Sequence, residues 1–190
     1  MTNSTLLQQL DYVKPYREKR LQVANWVIDH PENMPQLVKY SFDPTYEKSM
    51  QALWGLEFVC RFNLPLFYPH LDAFLDYLPS VRAHNTLRAL SFICELVAIA
   101  HYKHKDPILG AAFTAEHKKI MTECCFDWLI GDQKVACQVR AMTALYYLGT
   151  EFDWIHPELE PIIRENMHSG SAGYCARAKH ILKQLEKFRS

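Results

Sequence analysis

Between Thr86 and Ala100, eleven of fifteen residues are apolar, and neither glycine nor proline occurs among them. That is too long for one strand of a globular protein, so the segment reads as helix. A helix that is apolar on nearly every side has no face to offer water and must be covered by several neighbours. With its flanks, 83–103, it is expected to form the middle layer of a stack. It does not read as a membrane span, because Arg88 and Glu95 interrupt it and a crossing needs roughly 18 uninterrupted apolar residues.

The rest of the chain makes the same choice. Leu and Ala total 38 against 19 for Val and Ile, which favours helix because β-branched side chains lose rotamer freedom there. Six glycines are too few for a β protein with frequent hairpins. Pro31, Pro65, Pro107 and Pro157 flank apolar-periodic segments, as helix punctuation should. The periodicity predicts helices over 15–29, 33–42, 45–61, 66–78, 83–103, 114–130, 132–148, 157–167 and 172–188. Thr114 and Asp132 are expected to cap two of these through their side-chain oxygens. Gly131 and Gly149 are expected to end them.

The helices also repeat. At a constant shift of 88 residues, Pro69 falls on Pro157, Leu71 on Leu159 and Leu75 on Ile163; a shift of 38 places Glu57 on Glu95 and Val59 on Val97. Helix pairs at this spacing are close to the roughly 40–47 residues of HEAT-type repeats. One pair cannot bury both its faces, so pairs stack into a continuous core. The expected fold is all-α: residues 1–190 as one domain, a right-handed α-α superhelix of stacked antiparallel helix pairs.

On those residues the chain resembles HEAT-like α-α superhelical proteins. It also resembles a group of short bacterial proteins through Y-V-K-P-Y-R-E-K-R at 12–20, C-F-D-W-L-I at 125–130 and D-W-I-H-P-E-L at 153–159. The group has no established activity, although some members carry the label adenylosuccinate lyase. Lyases of that superfamily are more than twice this length and carry a G-S-S-x-M-P-x-K-x-N-P loop. No such loop occurs here, so that activity is not expected.

Motifs for chemistry are scarce. The six glycines form neither a P-loop nor G-x-G-x-x-G, and G-x-S-x-G is missing. His101, His104, His117 and Cys94 lack the H-E-x-x-H or paired C-x-x-C spacing of a zinc site, so no metal and no cofactor is expected. Six cysteines in apolar helical contexts read as small buried hydrophobes in a reducing cytoplasm. The first residues, Met1 to Ser4, lack the basic and apolar regions of a signal peptide, which agrees with a cytoplasmic location.

The weak catalytic candidates are Glu57 and Glu95, which interrupt apolar runs at equivalent points of the repeat. Stacked in a groove they would act as an acid/base pair. Lying on the exposed edge of their stripes, or held by an arginine such as Arg61, Arg88 or Arg140, they would be structural. The binding candidates are Trp154 and His156, at a loop-to-helix junction, together with Arg88 and Arg140.

Three function classes follow. A non-enzymatic module presenting a concave helical surface to a protein or peptide fits best. A nucleic-acid binder related in fold to HEAT-like alkylpurine DNA glycosylases is the alternative. Its difficulty is charge, because 21 basic residues balance 21 acidic ones and phosphate neutralisation supplies much of such affinity. The third class is a small-molecule enzyme using Glu57 and Glu95. A mixed-charge groove favours a protein partner; a continuous basic groove with an exposed carboxylate and tryptophan favours nucleic acid.

Overall fold

The computed structural model describes residues 5–12, 14 and 16–189. Pro15, where the first long helix was expected to begin, and Met1 to Ser4 lie outside the described residues. The protein is all-α, with no strand among the described residues. No helix among them is long and apolar enough to cross a membrane. The chain divides into two compact units at Val81–Arg82.

The first unit contains α1 (Leu6–Gln9), α2 (Arg17–Asp29), α3 (Met34–Ser41), α4 (Ser49–Phe62) and α5 (Leu71–Tyr77). Its hub is α4, which packs on both α2 and α3 and buries eight of its fourteen residues. The close approach to α2 needs Gly55, since a Cβ there would lie 2.6 Å from Val23 Cγ1. The continuous helix expected over 66–78 is broken. Residues Leu64–His70 form a 3₁₀ segment with Pro69 inside it, because proline has no N–H to continue an α ladder.

The second unit contains α6 (His84–Ala98), α7 (Pro107–Ala112), α8 (Ala115–Ile130), α9 (Val135–Leu148), α10 (Ile155–Asn166) and α11 (Ala172–Arg189). The apolar helix at 83–103 is the buried α6, with ten of fifteen residues inaccessible. Within this unit the hub is α9, which packs against α6, α8, α10 and α11.

Thr114 caps α8 as expected: its hydroxyl accepts from the His117 N–H, and the Thr114 N–H donates back to His117 Nδ1. Asp132 does not cap α9, which starts three residues later behind Lys134 without a side-chain cap. Gly149 ends α9 in ordinary helical conformation, φ −66°. The reason for glycine there is space, since a Cβ would lie 2.1 Å from the His156 ring.

One irregularity positions the site. After Ala98 the helix widens into a π turn, Ile99–Lys103, with the His104 N–H reaching back to the Ile99 carbonyl. Lys105 follows at φ 52°, a left-handed conformation costly for a residue with a Cβ. Asp106 then caps α7 by accepting from the Ile108 and Leu109 N–H groups. Turns of this kind cluster at functional sites.

Candidate functional site

Three helices of the second unit enclose a cleft of about 660 Å³. Glu95, Ile99 and Lys103 line it from α6 and the π turn, Thr143, Tyr146 and Tyr147 from α9, and Arg177 and His180 from α11. Glu95 is only 8% exposed, and a carboxylate so placed requires a partner. Arg177 supplies it, with Nη1 donating to Glu95 Oε1 at 2.7 Å. The same Nη1 donates to the Thr143 hydroxyl, which spends its own proton on the Val139 carbonyl. Each donor and acceptor role in this chain is therefore consistent.

The aromatic wall is similarly anchored. Tyr146 and Tyr147 meet edge to face at 5.1 Å. Burial, followed by the neighbouring Tyr146 and Glu95, pushes the Tyr147 hydroxyl above its ordinary value, so it stays neutral. Behind Tyr146 lies His156, buried, with its ring stacked on the tyrosine at 5.6 Å. Its Nε2 donates to the Tyr146 carbonyl at 2.8 Å. His156, a binding candidate from the sequence, thus stands behind the wall and holds it in place.

The other sequence candidates have other surroundings. Glu57 belongs to the first unit and is 1% exposed, with Arg20 and Arg61 at 3.7 and 3.8 Å. Both guanidinium groups lie over the Phe58 ring. The Arg61 partnership is an i,i+4 contact on α4, readable from spacing. The Glu95 partnership is not, since Arg177 lies 82 residues away. Arg140 donates to the Arg88 carbonyl and lies over the Phe92 ring at 4.6 Å. Neither Arg88 nor Arg140 lines the cleft.

Trp154 is 55% exposed and stacks on Phe126. With Phe152 and the α8 residues Ala115, Lys119, Thr122 and Glu123 it lines a separate notch of about 280 Å³.

The histidines near the π turn do not converge on a metal. His101 meets the rings of Tyr102 and Phe113 edge to face, whereas His117 serves the α8 cap. Among the described residues no three His, Cys, Asp or Glu side chains are arranged to hold an ion. Five of the six cysteines are buried, and Cys175 is half-buried. Burial pushes the Cys94 thiol well above its ordinary value, helped by its neighbour Cys125, and Cys137 up to about 11. These thiols therefore remain protonated and unreactive.

Sequence reasoning missed Arg177, Lys103, Tyr146 and Tyr147 as site residues. The signal nearest to revealing them was Glu95 itself, a lone acid in an apolar helix that demanded a cation from elsewhere. Compared with known proteins, the chain matches no family model, no curated protein and no solved structure.

Proposed function

We propose that this protein is a non-enzymatic binding module whose α6–α9–α11 cleft receives a segment of a protein or peptide partner. The observation carrying this reading is the state of Glu95. The one carboxylate of the cleft lining is already committed to Arg177, which in turn is tied to Thr143. A general base needs a carboxylate able to take a substrate proton, and an arginine-bound one is poorly suited to that. What remains is a surface of mixed charge with two tyrosines and the half-buried Ile99, floored by the buried Ile181. Aromatic residues beside arginine are characteristic of protein-binding surfaces. Nucleic acid is disfavoured because the cleft contains a buried acid and no tryptophan, the exposed Trp154 lining the separate notch. In this reading the helix pairs stack as a right-handed α-α superhelix in the cytoplasm, where the six thiols stay reduced.

Binding to an array of eight-residue peptides tests the proposal. Exposed Lys103 and His180 are substituted by Glu in the cleft, and exposed Lys119 by Glu in the Trp154 notch. Binding lost with the cleft substitutions and retained with Lys119→Glu supports it. No binding, or binding indifferent to the cleft substitutions, overturns it.

A further inference from the structure

Arg177 uses one nitrogen out of three. Nη1 donates to Glu95 and Thr143, while Nε and Nη2 have no acceptor among the described residues. The side chain is 36% exposed and lines the cleft. A guanidinium is a planar fork of five donors suited to gripping a carboxylate through two parallel bonds. Here one prong is fixed by a buried acid and the remaining donors are unused. Glu95 thus orients Arg177, which is thereby preorganised for a second anion.

The charge around it has a definite size. Lys103 and Arg177 are opposed by Glu95 alone, and His180 adds no negative charge. With His180 counted as neutral, the cleft therefore carries one net positive charge, the complement of a single carboxylate. A phosphate group, at about −1.5 to −2, would exceed it while lying close to Glu95. Lys103 ends the π turn that Ile99 begins, and both line the cleft. Beside these cations, Tyr146, Tyr147 and Ile99 offer an apolar surface.

Building on the binding-module reading, we propose that the cleft selects an acidic peptide, in which one Asp or Glu carboxylate engages Arg177 and Lys103 and an adjoining apolar side chain rests on the tyrosines. The contact is electrostatic and involves no covalent step.

The test is an array of eight-residue peptides with degenerate flanks, divided into four sets with Glu, Gln, Lys or phosphoserine at a central position. Retention of the Glu set about tenfold above the Gln set is expected, falling with added salt. Lys103→Glu should shift preference toward the Lys set. Arg177→Lys, which keeps a cation on Glu95 but loses the fork, should weaken the Glu set about tenfold while leaving the circular dichroism spectrum unchanged. Equal retention of all sets, or preference for Lys or phosphoserine, overturns the carboxylate specificity and leaves the binding module standing. Absence of binding in all four sets overturns both.

Discussion

Replacing Gly149 by alanine puts a methyl group inside the His156 ring. The added Cβ would lie 2.1 Å from Cδ2, 2.3 Å from Nε2 and 2.9 Å from Cγ, where carbon contacts normally begin near ~3.5 Å. The ring is rigid and 7% exposed, so it must shift by an ångström or more. That movement takes Nε2 away from the Tyr146 carbonyl, now 2.8 Å distant, and beyond hydrogen-bonding range. Overpacking of this kind costs about 1–3 kcal/mol, and a lost buried hydrogen bond roughly 0.5–1.5 kcal/mol more. Against this, alanine restricts the unfolded chain and regains about 0.4–1 kcal/mol, because φ −66° and ψ −11° suit it. The net expectation is a loss of about 2 kcal/mol, or a melting temperature lower by about 4–8 °C for a chain of this size. Urea titration followed by circular dichroism measures it. The double variant Gly149→Ala/His156→Ala should be less destabilised than the two single losses added together, by about 1 kcal/mol, because the methyl then occupies vacated space. A Gly149→Ala protein as stable as the parent refutes the packing argument and with it the role assigned to His156.

Other perturbations probe the remaining features. Gly55→Ala should destabilise the first unit by about 1–3 kcal/mol through its contact with Val23, and Val23→Ala should recover part of the loss in the same urea assay. Lys118 is 11% exposed and donates to both Glu151 oxygens, but Glu151 is 40% exposed. Lys118→Met should therefore cost about 1–2 kcal/mol, below the roughly 3–5 of a fully buried pair. Burial, with the Lys118 charge and against that of Glu151, lowers the affinity of His101 for a proton. The unfolded chain then binds more protons near pH 6, so stability should fall as pH drops from 7.5 through the ordinary histidine value toward 5. His101→Phe, seated against Tyr102 and Phe113, should flatten that slope, and an unchanged slope would contradict the assignment. Ellman's reagent should modify Cys175 first in the native protein and the other five thiols only in denaturant, since those five are buried and burial pushes Cys124 up to about 12.

Much of this structure is encoded locally. The helices follow from residue choice and period, the α8 cap from Thr114 three residues before its target, and the Arg61–Glu57 contact from a spacing of four on one helix face. Burial of five cysteines follows from their apolar neighbours. Each of these depends on residues within one or two helical turns, where backbone geometry alone determines which side chains meet.

The failures arise where that range ends. Asp132 has the right chemistry for a cap, yet α9 begins at Val135, since packing against four other helices determines where its first turn can lie. Gly149 is the helix stop its position suggests, but the reason for glycine there, the ring of a histidine seven residues later, is not local. The π turn at Ile99–Lys103 has no signature in residue type. Above all, an acid at 95 announces a need for a cation without naming which. By itself the sequence determined an all-helical protein whose most apolar helix carries a single acid; that this acid is buried came from the structure. Only the tertiary structure decided that Arg177 answers it and that Lys103 and two tyrosines share the cleft. The reason is that contacts between distant helices depend on their rotation and depth of packing, which every core side chain sets together and no short segment records.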